Sequence, residues 1–294
     1  MTIGTCFADL VVVGFDPLAD EIERLSKADS FRRRRYFARM VGQQGVAPVD
    51  LPPDASTFAR TSAARAAQLL DFDSRRANFD RTGSGRMTSE AVELDVFFHE
   101  HPMDIDFLKT DTDGSDLQVL RGAAKLLSDT PILGVGVECF FCGPADDGSS
   151  TFRNIDRFLA ASGFTLFDLE IHRYSRSALP SPFVYRIPAQ TLQGQVRCAD
   201  ALYLRDAGNV RNRRDKGVSL EPVKLIKLAC VFEIFGLEDC AAELLLEHRN
   251  ALSAHLDVNR CLDLLTPTRN GRRLSYAQYM QVFEKDPATF YPPA

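Results

Sequence analysis

Residues Asp104–Leu127 read DIDFLKTDTDGSDLQVLRGAAKLL, and the rest of the chain is organised around them. Ile105, Phe107 and Leu108 form a short apolar run suited to a buried parallel strand. Asp111, Asp113 and Gly114 break that run at its carboxyl end. From Ser115 the apolar spacing becomes helical, with Leu117, Leu120, Ala123, Ala124 and Leu127 on one face. Asp116 falls in the first helical turn, where its charge suits the helix dipole. In open α/β sheets ligands bind beyond the carboxyl ends of strands, so two carboxylates and a glycine here form a candidate site. The same Asp-x-Asp-Gly pattern also punctuates ordinary strand–helix turns.

Upstream, Leu10–Val13 predict a strand, ended by Gly14-Phe15-Asp16-Pro17, and Ala19–Lys27 predict a helix. A carboxylate at the end of a strand before a helix, such as Asp16, can accept from both hydroxyls of a ribose. Arg32 to Arg35 are four arginines in a row, read as a solvated edge before the next strand, Tyr36 to Val41. Residues 51–87 are loose in composition. A helix is plausible over Ser62–Leu70, and DSRRANFDRTGSGRM after it reads as a mobile loop. His99 and His101 fall before Pro102 and are expected on an exposed polar loop.

Downstream, Ile132–Phe141 is an apolar strand that carries Glu138, whose charge is costly there unless paired or at the strand's open end. Cys139 and Cys142 have CxxC spacing but no second pair of ligands, so a zinc site is not expected. An amphipathic helix follows at Phe152–Ser162, capped by Gly163, and strands are expected at Phe164–Ile171 and Ala199–Leu204, paired with each other. Strands alternating with helices predict a mostly parallel α/β sheet. Beyond an Arg-rich linker at Asn209–Lys216 the character changes. Glu221–Leu265 reads as almost pure helix, its apolar stripe containing Val223, Ile226, Val231 and Leu245. The boundary is drawn at residue 208, giving an α/β domain over 1–208 and a helical extension over 209–294. That extension is expected to pack on the domain or on a second copy, as a homodimer.

Composition limits the partners. The 294 residues are 45% hydrophobic and 26% charged, ordinary for a globular protein. With 35 basic and 40 acidic residues the net charge is −5, so no general attraction to nucleic acid or to an anionic membrane is expected. Seven cysteines without framework spacing, and no signal peptide, read as reduced thiols of a cytoplasmic protein. No apolar run approaches the roughly 20 residues that span a bilayer.

The central stretch carries a resemblance. DFLKTDTDGSDLQVLRGAAKLL resembles the signature of the FkbM-type methyltransferases, commonly D-x-L-K-I-D-V-E-G-x-E-x-x-V-L-x-G-A. GFDPLADEIERL is similar to that family's acidic segment after a strand, and ILGVGVECFF and FLAASGFTLFDL fit the segments after the signature. The resemblance, from about Leu10 to Leu204, implies a class I, Rossmann-like methyltransferase fold that uses S-adenosylmethionine. Its implied reaction is O-methylation of a sugar hydroxyl or similar small acceptor. On that reading Asp16 holds the cofactor ribose, Met40 and Val41 lie near the adenine, and Asp111, Asp113 and Gly114 sit beside the methyl donor or acceptor. Asp111, Asp113 and Glu138 are the candidate bases, with Lys109 tuning them. A divalent metal is compatible with this chemistry but not predicted.

Two departures from the family pattern stand out. Asp113 replaces a glutamate, shortening its reach by one methylene. The family's glycine loop and first strand should precede Asp16 by roughly two dozen residues, but only MTIGTCFAD and the strand are there. The expectation is a chain cut from a longer reading frame, or one that binds cofactor weakly. Rival readings are a non-catalytic scaffold and a metal-dependent glycosyltransferase using Asp111-Thr112-Asp113. An EF-hand fails, because its glycine must be sixth and here it is fourth.

Overall fold

The structure, a computed structural model, describes residues 10–28, 33–43, 91–112, 114–143, 145–174, 191–209 and 218–290. The helix expected at Ser62–Leu70, the loop after it, Met1–Asp9 and Asp113 lie outside the described residues. The chain opens with β1 (Val11–Asp16), α1 (Ala19–Ala28), β2 (Arg33–Ala38) and β3 (Met40–Val41). After the undescribed stretch come β4 (Ala91–Val92), α2 (Leu94–Glu100), β5 (Phe107–Thr110), α3 (Asp116–Arg121) and α4 (Ala124–Asp129). Then follow β6 (Gly134–Phe140), α5 (Phe152–Ala161), β7 (Thr165–Tyr174) and β8 (Gln195–Leu204). The tail contributes α6 (Pro222–Ile234), α7 (Glu238–Glu247), α8 (Arg249–Leu252), α9 (Val258–Leu265) and α10 (Tyr276–Lys285).

The strands do not make one mostly parallel sheet. Among the described residues β1 and β2 pair in parallel, β3 and β4 pair in parallel, and the largest sheet has the order β5-β6-β8-β7. Only its β5–β6 edge is parallel; β8 inserts between β6 and β7 and runs antiparallel to both. The helix α5 allows a parallel crossover from β6, but the place beside β6 is taken by β8.

The arginine run is a second correction. Arg33, Arg34 and Arg35 belong to β2 and pair with Val11, Val12 and Val13. Arg33 and Arg35 are exposed, whereas Arg34 reaches back to the Ser26 carbonyl at 2.9 Å. Charged side chains on such a strand discourage pairing with another chain. His99 and His101 likewise close a helix rather than ride a loop, because Leu94 and Phe97 are buried one turn apart with no breaker before Pro102. Both histidines are exposed, as expected.

Two cores share the four-stranded sheet. On one face Leu117, Leu120, Leu127, Ile155 and Leu159 of α3–α5 pack against Val135, Val137, Ala201 and Tyr203. On the other face Leu133, Leu202 and Leu204 meet Leu225, Leu228, Phe232, Leu244 and Leu262 of the tail. Each large side chain so buried contributes on the order of 1.5–3 kcal/mol. The tail thus packs on its own sheet. Its seam differs from the stripe expected: Leu245 is buried and Ile226 and Val231 partly so, but Val223 is 57% exposed. In α6 the buried row is Leu225, Leu228 and Phe232.

The β1–β2 pair is moored by aromatic rings. Phe15 and Phe37 stack on each other, and Phe97 of α2 meets both edge-on at 4.8 and 4.9 Å. Beside them the backbone of Gly42 runs so close to Gly122 that a Cβ on Gly122 would stand 2.3 Å from the Gly42 carbonyl oxygen. Only glycine fits there, which explains the glycine of the Leu-Arg-Gly-Ala segment between α3 and α4.

Candidate functional site at the end of the fifth strand

The sequence places a polar turn between β5 and α3, and internal hydrogen bonds hold its shape. Asp116 is fully buried, and its carboxylate accepts from the backbone N–H groups of Thr112 at 3.2 Å and Gly114 at 3.4 Å. Burial pushes its carboxyl above the ordinary value, against the pull of the Thr110 and Thr112 hydroxyls and these two N–H groups. Its role is to close the turn. Gly114 takes φ +115°, a backbone region that side chains disfavour.

A second support comes from far along the chain. The Ser150 hydroxyl accepts from the Leu117 N–H at 3.0 Å and donates to the Gly114 carbonyl at 2.7 Å. Its loop is itself pinned: Asp146 accepts from the Ser149 hydroxyl and from the N–H groups of Ser149 and Gly148, which holds its carboxyl below the usual range. Gln118 and Arg121 of α3 donate to the carbonyls of Gly148 and Asp147, both at 2.6 Å. Nothing in the sequence pattern marks Ser150, because its partners lie more than thirty residues away.

With the turn fixed, Asp111 projects into solvent. It forms an ion pair with Lys109 at 3.5 Å, both side chains more than half exposed. The stem of Lys109 lies over Gly136, where a Cβ would stand 3.8 Å from Lys109 Cγ. The register that pairs Thr110 with Val137 sets Glu138 level with Asp111 on the neighbouring strand. The structure therefore brings Lys109, Asp111 and Glu138 to one corner of the sheet.

Asp16, Met40 and Val41 form a separate group. Asp16 ends β1 half-buried; its Oδ1 accepts from the Leu18 N–H at 2.7 Å, and Oδ2 has no partner among the described residues. Burial raises its carboxyl above the ordinary value, the Leu18 N–H opposes that rise, and the charge of Glu21 adds to it. Met40 and Val41 pair with Ala91 and Val92, and Val41 packs on the first core. Among the described residues no hydrogen bond or ion pair links Asp16 to Lys109 or Asp111. A carboxylate oxygen left open at the end of a parallel strand fits a ribose, and the apolar Met40–Val41 pair fits the face of a purine.

Cys139 is a core thiol. It is buried, it donates to the Ala199 carbonyl at 3.4 Å, and burial pushes its pKa up to about 12. Among the described residues no group of three His, Cys, Asp or Glu side chains could hold a metal ion. No helix of the described residues is long and apolar enough to cross a membrane.

Comparison with known proteins agrees with the signature. The family model described as Methyltransferase FkbM domain matches residues 6–166, from before β1 to the start of β7. No curated protein and no solved structure matches the chain.

Proposed function

The chain belongs to the methyltransferase FkbM domain family, and from that premise we propose that it is an S-adenosylmethionine-dependent O-methyltransferase acting on a hydroxyl of a sugar or another small molecule. The observation that carries the reading is Asp111, exposed beside Lys109 at the carboxyl end of β5, on a turn locked by Asp116 and Ser150. S-adenosylmethionine supplies an activated methyl group for a nucleophilic oxygen. Asp16 would accept from the ribose through its open oxygen, and Met40 and Val41 would lie along the adenine. Asp16, Asp111 and Asp113 would meet around the cofactor.

Methyl transfer needs the acceptor oxygen in line with the methyl group, so positioning supplies much of the rate. A base must also take the hydroxyl proton; the exposure of Asp111 at the strand's end supports that role, and Asp113 and Glu138 are the other candidates. Lys109 holds Asp111 by charge from one side. The net charge of −5 supports a small-molecule acceptor over nucleic acid. We further propose that residues 1–208 form the catalytic unit and that the tail serves as its outer layer.

Calorimetry with S-adenosylmethionine, followed by transfer of labelled methyl to a panel of hydroxylated acceptors, tests the reading. Asp16→Ala should weaken the cofactor by about 10- to 100-fold, the equivalent of one charge-assisted hydrogen bond. Asp111→Asn should lower turnover by roughly 10²- to 10⁴-fold, well beyond any loss of cofactor affinity. Failure to bind the cofactor would favour a scaffold, and binding of a nucleotide sugar with a divalent metal instead would favour a glycosyltransferase.

A further inference from the structure

The helical tail holds a groove of about 1200 Å³ between the end of α6, α7, α9 and α10. None of its lining residues belongs to β5, β6 or the signature turn. Five carboxylates line it: Glu233, Glu238, Asp239, Glu243 and Glu247. All five are exposed, none is in an ion pair among the described residues, and no lysine or arginine lines the groove.

Three of these acids recur every fourth residue. Asp239, Glu243 and Glu247 therefore form one ridge along α7, and like charges at that spacing destabilise the helix that carries them. Beside the ridge lies an open apolar strip of Leu246, Leu264, Tyr276, Tyr279 and Met280. Leu246 is 39% exposed and Leu264 is 59% exposed, both costly in water. A single occupant relieves both deficits: a helix with cationic side chains every fourth residue on one flank and apolar ones on the other. Helix-in-groove recognition works through such anchors, and methionine adapts to their shapes. At about 1200 Å³ the groove exceeds the roughly 300–1,000 Å³ usual for small ligands.

We propose that this groove docks a cationic amphipathic helix of a partner polypeptide. The probe is a fluorescein-labelled 18-residue peptide, with that length of about five turns chosen to outspan α7; it is built only of lysine and leucine at helical spacing. Its anisotropy is followed with the full chain. Saturable one-to-one binding that weakens as salt rises is expected. The exposed triple substitution D239N/E243Q/E247Q should weaken it about tenfold, as three surface ion pairs together amount to one power of ten. Leu264→Ser should weaken it independently, and a glutamate–leucine peptide of the same pattern should not bind. Binding indifferent to both variants would place the peptide elsewhere and overturn the proposal. Sensitivity to the charge triple alone, with competition by spermine, would make the groove a small-polycation site instead. A chain that sediments as a dimer and becomes monomeric on Leu264→Ser would show a second copy in the groove, which also overturns it.

Discussion

Single residues carry the signature turn, and Asp116 is the clearest case. Asp116→Ala would orphan the N–H groups of Thr112 and Gly114 and should cost about 2–4 kcal/mol by urea denaturation. Its pH dependence has a definite sign. The folded pKa lies above the ordinary 3.8, so the folded state binds more protons than the unfolded one between those values. Stability from this group therefore falls as pH rises from about that ordinary value through the folded one, and Asp116→Asn should remove that fall. Arg205 is a second such residue. Its guanidinium donates to the carbonyls of Leu127, Ile132 and Ser162 at 2.6, 3.1 and 2.7 Å and lies over the Phe164 ring, tying the ends of α4 and α5 to β8. Burial lowers its pKa to about 10. Arg205→Met should cost about 3–5 kcal/mol, because three buried carbonyls lose their donor. Local spacing singled out Asp16, Asp111 and Gly114, since each ends or follows an apolar run, whereas Lys109 entered only through the family resemblance. Asp116 was visible only as a helix-dipole charge, and Ser150 and Arg205 were invisible, because all their partners are distant in sequence.

At the scale of elements, α6 and the approach to β5 are joined by charge as well as by packing. Lys224, almost buried, contacts Asp104 at 2.6 Å and Asp106 at 2.7 Å, and Lys227 reaches Asp106 at 2.7 Å. Burial alone would raise the Asp106 carboxyl, but the two ammonium groups outweigh it and hold it below 3.8. The stability this gives is present above the unfolded value and is lost as pH falls through the folded one. Lys224→Met should cost about 1–3 kcal/mol near neutrality, and Lys224→Met with Lys227→Met should blunt the loss of stability on acidification below about pH 4. Most strands and helices of the α/β region were legible because period-2 and period-3.6 patterns are local, but α2 was not, since its end was read as a polar loop. The antiparallel insertion of β8 was not, since strand direction is settled by which neighbour lies beside β6. The arginine run misled for a related reason: on an edge strand charge marks solvent without excluding the strand. In α6, a helix apolar on most sides, periodicity could not say that Leu225, Leu228 and Phe232 face inward and Val223 does not.

Among the described residues the four-stranded sheet carries a core on each face, and the second core is completed by the tail. A chain lacking residues 209–294 would bare Leu133, Leu202 and Leu204 and should aggregate, read by light scattering; a truncated chain as soluble and stable as the parent would make the tail an independent module. The β1–β2 pair has a different character, since among the described residues no ladder joins it to the larger sheet, and Phe97 of α2 packs on its Phe15 and Phe37. Such a pair opens more cheaply than strands locked on both sides. Deuterium should therefore enter the amides of Val12–Phe15 well before those of Val135–Cys139. Asp16 ends the first strand of that pair. A nucleoside seated against it would act as a splint, and the slowing of that exchange on adding cofactor would report occupancy from the protein's side alone.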